Sequence, residues 1–439
     1  MIYKSAEALR RDVRPPAEWA LEALAEGRRD RLAWWIGYMS VGHQFLFMGY
    51  LYWIARIVSR IRSDHGEPVA REVLEEALRL LIAAPARAYR EGREQEAARF
   101  FLSLWRVHMG GMTEPTETDR ELIMLLAPCG TGGRILLEGW YEADPGSFGR
   151  FSDGTPAFCQ GCRTMQEVFN DLAGRQVLEI RPDAARMGVC GFRLLKTSGS
   201  GQRLFSERDL SEATTPECSL ALARLREGRL DGIEDLLRDH HRRWRPLHDF
   251  LNLWVTLLES AVLRRYGVEC VSDLVAETYI RMWQSAYKLY GSLDDRTSLR
   301  LIAHTWHYHQ ATFRVEEEED RFKFTLDPCG SGGRLFRGEM GDRAPRYGYG
   351  LSLADAPHPC TFFRKDFPIY CSHCALSNLD QFRGKPRIFV VDGHAMRDPR
   401  SPCVQYLYKK HAMERIPSSL LEQVGCRTLV PVKSEYAAL

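Results

Sequence analysis

One heptapeptide is written twice in this chain, with a single exchange of Thr131 for Ser331. Pro128-Cys129-Gly130-Thr131-Gly132-Gly133-Arg134 returns as Pro328-Cys329-Gly330-Ser331-Gly332-Gly333-Arg334. Each copy is followed by an aromatic-Cys-x-x-Cys (Phe158, Cys159, Cys162; Tyr370, Cys371, Cys374), and then by a cysteine six residues before a lysine (Cys190 to Lys196; Cys403 to Lys409). Shared order and spacing predict a tandem duplication. Upstream, Trp105-x-x-His108 answers Trp306-x-x-His309, Gly66 answers Gly267, and His43-Gln44-Phe45-Leu46 answers His248-Asp249-Phe250-Leu251. The expected division is a first repeat over 1–197, a Gly/Ser-bearing linker over 198–224, a second repeat over 225–415 and a tail over 416–439.

Sixty basic residues against fifty-eight acidic ones give a formal charge of +2, which leaves no electrostatic footprint for nucleic acid. Twelve cysteines in 439 residues are too dilute for a disulfide-stapled secreted scaffold, and the first residues hold no apolar signal segment. A cytoplasmic protein is expected. No Asp, Glu, Lys or Arg lies between Arg31 and Arg56, a stretch rich in Trp and Tyr that invites comparison with a membrane helix. Its counterpart in the second repeat carries Glu259 and Arg264, so a core helix is favoured over a span.

Each repeat opens with helical periodicity, over 67–93 and 271–290, and then changes to short apolar or alternating runs before breakers. Those runs, 122–127, 176–180 and 192–195, then 322–326, 387–391 and 404–408, predict strands. The fold class is therefore α+β, each repeat an N-terminal helical part packed on a small antiparallel sheet that carries a cysteine cluster. Segments 162–172 and 374–382 read as short helices stopped at Gly174 and Gly384, which puts each Cys-x-x-Cys near a helix start.

Four thiols per repeat, Cys129, Cys159, Cys162 and Cys190, then Cys329, Cys371, Cys374 and Cys403, are the inventory of a tetrahedral thiolate zinc site. An iron–sulfur cluster uses the same donors. A redox dithiol at a helix start and plain buried thiols are the other readings. The Cys-Gly-x-Gly-Gly-Arg loops could aim backbone N–H groups at an anion, with Gly330, Gly332 and Arg334 holding a carboxylate, or they could be tight turns needing positive φ. No Gly-Lys-[Ser/Thr] follows and no helix is expected to open there, so a nucleotide P-loop is excluded. The second repeat carries more ionisable side chains, including His304, His307, His309, His358 and His373, and is expected to be the reactive half. The acidic run 316–320 reads as a solvated loop.

With these residues in place, the second repeat resembles the L-2-amino-thiazoline-4-carboxylic acid hydrolase-like family through His248, Asp249, Tyr266, Gly267, Cys329, Tyr370, Cys371 and Cys403. The segment Gly188-Val189-Cys190-Gly191-Phe192 is reminiscent of vinyl-reductase-type ligand-binding domains. The first resemblance implies hydrolysis of a C–N or C–S bond in a small carboxylated substrate, with His248 and Asp249 as an acid/base pair and His309 as a second proton carrier. The second implies a metal- or small-ligand-binding module without turnover, and the dithiols leave a thiol oxidoreductase open. A small-molecule carboxylate is the expected partner, and homo-oligomerisation is compatible with every reading.

Overall fold

In a computed structural model, residues 1–105, 108, 115–197, 203–340, 351–398 and 401–437 are described. The chain is α+β, with long helices and small antiparallel sheets. It divides into two compact units, one of Ala23–Leu258 and one of Met1–Glu22 with Glu259–Leu439. We call them the first and second unit. The boundaries differ from those expected of the two repeats, because the opening residues of the chain are built into the second unit.

Among the described residues ten strands form three sheets. In the first unit β1 (Thr116–Glu117), β2 (Glu121–Leu126), β3 (Leu178–Pro182) and β4 (Cys190–Leu195) lie in the order β1-β2-β4-β3, all antiparallel. In the second unit β5 (Phe313–Glu317), β6 (Arg321–Leu326), β9 (Val390–Asp392) and β10 (Cys403–Tyr408) lie in the order β5-β6-β10-β9, again antiparallel. The pair β7 (Leu353–Ala354) and β8 (Phe367–Pro368) is separate. The central strands were legible as apolar runs. The edge strands β1 and β5 were not, being rich in charge.

Alternation sets the core. β2 buries every second residue. Phe192 of β4 stacks between Phe101 and Trp105 of the Glu94–Trp105 helix, at ring separations of 5.4 and 4.2 Å, and Phe101 also meets Phe169 of the Ala157–Ala173 helix. In the second unit Phe322 and Phe324 point inward from β6, against Tyr3 and Phe313.

Both sheets are fastened by the same buried ion pair. Lys196 meets Glu117 at 2.6 Å with side chains 1% and 3% exposed, and Lys409 meets Glu317 at 2.8 Å with both 2% exposed. The lysines are those six residues after the last cysteine of each motif. Each glutamate also accepts two backbone N–H groups from an arriving segment, Leu204 and Phe205 for Glu117, Ile2 and Tyr3 for Glu317. The acidic run is thus corrected. Only part of it faces water, because Glu316 and Glu317 belong to β5, and Lys409 also caps the Glu318 and Glu319 carbonyls.

Two other expectations are corrected here. Segment 203–226 holds the helices Glu207–Thr214 and Glu217–Arg226, the second burying Cys218 and Ala221, so it is no linker, while 198–202 lie outside the described residues. The tail also carries short helices, and Val430 bridges to Arg383 within the second unit. Among the described residues no helix is long and apolar enough to cross a membrane. Glu259, in the corresponding helix of the second repeat, is fully buried.

Buried neutral histidines give the second unit an acid limb. Burial and the neighbouring His307 hold His304 down to about 3, and burial holds His307 down to about 4 although its Nε2 meets the Val13 carbonyl at 2.9 Å. The unfolded chain takes up these protons near pH 6.5 and the folded chain does not, so their stabilisation is complete above that pH. It is lost as pH falls from 6.5 through 4. Urea midpoints at pH 7.5 and pH 4.5 should differ markedly, and less so in His304→Gln; equal midpoints would contradict the assignment.

Candidate metal centre

Each thiol set is gathered by the same local architecture. Cys129 follows β2 after a cis Ala127-Pro128 bond and donates its N–H to the Gly188 carbonyl at 2.7 Å, while the β2/β4 register sets Cys190 opposite Leu126. Cys159 and Cys162 lie in the opening turns of the Ala157–Ala173 helix, which stops at Gly174 in the left-handed conformation. In the second unit Cys329 follows a cis Asp327-Pro328 bond, Cys403 stands opposite Leu326, and Cys371 and Cys374 sit at the start of the Ser372–Phe382 helix. Strand end, adjacent strand start and helix start therefore converge in both units.

The glycines of the loops are there for close approach. A Cβ on Gly132 would lie 2.5 Å from the Cys159 Sγ, and one on Gly332 would collide with the Cys371 Sγ. None of Gly130, Gly132, Gly330 and Gly332 has a positive φ, so the tight-turn explanation fails. The expectation that no helix opens after these loops is also corrected, since Gly132–Leu137 and Gly332–Arg337 are short helices. The P-loop exclusion then rests on the missing Gly-Lys-[Ser/Thr] alone.

Electrostatics bind each set into one group. Burial and then the charges of Cys129 and Cys190 push Cys159 up to about 12, and burial with the other three thiols raises Cys162 as well. Burial followed by Cys129 raises Cys190 to about 12. In the second unit burial and then neighbouring thiols raise Cys371, Cys374 and Cys403 in the same way. Cys129 is the exception. Burial would raise it too, but the His108 imidazole, the Thr131 hydroxyl at 3.1 Å and the Gly133 backbone outweigh that and hold it at about 6. Among the described residues no group of three or more His, Cys, Asp or Glu side chains is arranged so that it could hold a metal ion.

His108 belongs with the cysteine loop, a placement that the sequence marks only through the repeated Trp-x-x-His. Its Nδ1 accepts the Gly130 N–H at 2.9 Å, and in the second unit the Nδ1 of His309 meets the Ser331 hydroxyl at 3.0 Å. Each histidine pins the loop that follows its Pro-Cys. The available signal was the repeated Trp-x-x-His about twenty residues upstream of each Pro-Cys. His309 was expected as a proton carrier and is found as this loop pin. Among the described residues the one depressed thiol belongs to the first unit, although more of the ionisable side chains singled out from the sequence belong to the second.

The remaining candidates are divided between the two units. His248 and Asp249 form a buried pair, Nδ1 to Oδ1 at 3.2 Å, but they belong to the first unit while Cys329, His309 and Arg334 belong to the second. Arg334 is 3% exposed, and its guanidinium donates to the Glu339 carbonyl at 2.9 Å and toward that of Gly330 at 3.5 Å. It pins its own loop. The likeness of His43 to His248 is one helical turn out of register: counting back from Gly66 and Gly267 pairs Ser59 with Ser260, which accept the N–H of Gly149 and Ser352, and pairs His248 with Phe47. Position 259 then pairs Glu259 with Val58. Both carboxyl oxygens of Glu259 are buried with no hydrogen-bond partner, and burial pushes this carboxyl well above the usual carboxylate range.

No family model matches the chain, and neither the curated proteins nor the solved structures contain a match to it.

Proposed function

We propose that this is a metal-thiolate protein in which each unit holds one zinc ion on four cysteines, Cys129, Cys159, Cys162 and Cys190 in the first and Cys329, Cys371, Cys374 and Cys403 in the second. The observation that carries the reading is the repeated gathering of four buried or half-buried thiols at one sheet end, electrostatically coupled to one another. As protonated thiols the two Cys-x-x-Cys pairs are weak nucleophiles and poor redox partners, which weighs against a dithiol oxidoreductase. As thiolates they repel one another in a low-dielectric site, and a divalent cation removes that repulsion. Zinc suits four sulfur donors. An iron–sulfur cluster is the second occupant that the same donors would take.

A zinc ion closed by four thiolates has no position for substrate and stabilises the fold. The binding-module reading is therefore preferred to hydrolysis of a C–N or C–S bond, whose supports are the buried His248–Asp249 pair and the Gly-rich loop. Arg334, the residue wanted for a substrate carboxylate, is turned onto backbone carbonyls instead. Metal analysis of the full chain, purified without chelators, tests the proposal, with two zinc ions per chain expected.

A further inference from the structure

The Arg29–His65 helix buries one stripe and exposes a second one that is also apolar. Trp34, Tyr38, Val41, Phe45 and Met48 follow one another at alternating intervals of four and three residues, the spacing of a helix–helix seam. Trp34, Val41 and Phe45 are 59%, 64% and 66% exposed. Tyr38, stacked on Trp34 at 5.3 Å, and Met48 are half-buried. Gly37 and Gly49 on the same helix face open space.

The chain itself contains the control. In the register set by Ser59 with Ser260 and Gly66 with Gly267, the first four seam positions correspond to Asp235, Asp239, Arg242 and Pro246 of the Ile233–Thr278 helix. The pattern of exposure is the same at all four, exposed, half-buried, exposed, exposed. Where that helix meets water the chain uses two Asp, an Arg and a Pro. At the same places in the Arg29–His65 helix it uses Trp, Tyr, Val and Phe.

We infer that this seam is a self-complementary interface on which a second copy of the chain docks, helix against helix. The stripe carries no charge between Arg31 and Arg56, so two copies meet without like-charge repulsion across a two-fold axis. The same lack of a charged flank distinguishes it from an interfacial membrane helix, whose polar face is rich in Lys and Arg. From the three most exposed side chains alone, each copy offers on the order of 350 Å² of apolar surface. Pairing doubles that, and Tyr38, Met48 and the small-residue rim bring the total toward the roughly 1,000 Å² of a specific interface.

Sedimentation velocity on the full chain, from about 1 to 100 μM, tests this. A species of twice the 50.4 kDa chain mass is expected, converted to monomer by Val41→Asp with Phe45→Gln, at unchanged circular dichroism. Trp34→Gln alone, a milder change, should weaken dimerisation by at least tenfold and covers the case in which the double variant misfolds. A wild-type monomer across the range overturns the proposal, as does a dimer indifferent to all three substitutions. So does a monomer that binds anionic phosphatidylserine vesicles through Trp34, which would assign the seam to lipid.

Discussion

Gly330→Ala should cost the chain more than about 3 kcal/mol, enough to abolish soluble accumulation of a marginally stable protein. A methyl group there would overlap the His309 carbonyl oxygen and reach within 2.7 Å of the Ala311 backbone nitrogen. Both obstacles are backbone, at the end of a helix that His309 caps and whose side chain holds the neighbouring Ser331. Neither can give way as a flexible side chain would. Gly49→Ala is the matched control, since its Cβ meets open space inside a helix and should stabilise by about 0.5–1 kcal/mol. Urea denaturation, or the soluble yield if the first variant cannot be purified, separates the two. A Gly330→Ala protein of wild-type stability would remove the close packing of helix end against cysteine loop on which the site description stands.

Lys409→Met should be nearly as severe, at about 3–5 kcal/mol, because it strands a carboxylate whose side chain is 2% exposed. Lys409 also satisfies the Glu318 and Glu319 carbonyls, and Glu317 holds the N–H groups of Ile2 and Tyr3, so the substitution loosens both the sheet edge and the arriving N-terminal segment. Adding Glu317→Gln removes the orphaned charge and should recover a substantial part of the loss. A double variant no better than the single one would mean that packing of the lysine stem, not the buried charge, sets the cost. Lys196 and Glu117 make the equivalent pair in the first unit, and Lys196→Met should behave alike.

These two examples show which parts of the molecule the sequence could disclose. Spacing alone identified the eight cysteines, the helix starts that carry Cys159 and Cys371, and the central strands, because each has a local signature in periodicity, breakers or capping glycine. Glu317 could not be read in the same way. Its neighbours 316 and 318–320 share its charge, and only the tertiary approach of Lys409, ninety-two residues away, makes it a core residue. Cys-x5-Lys was visible as a repeated pattern without a reason, and the reason is this ion pair. His108 and His309 needed the Pro-Cys loop to be folded beneath them before a role could be assigned. Arg334 misled because a guanidinium beside glycines looks like an anion site, whereas its donors are met by carbonyls of its own loop. The exposed seam of the Arg29–His65 helix was legible as an uncharged aromatic stretch. Which face it presented was not.

The most direct test of the thiolate account is zinc per chain by plasma mass spectrometry, on protein purified without chelators and on Cys129→Ser, Cys329→Ser and the double variant. The account predicts about two zinc ions in the wild type, one in each single variant and none in the double variant. A folded chain that carries no metal in any preparation would contradict it.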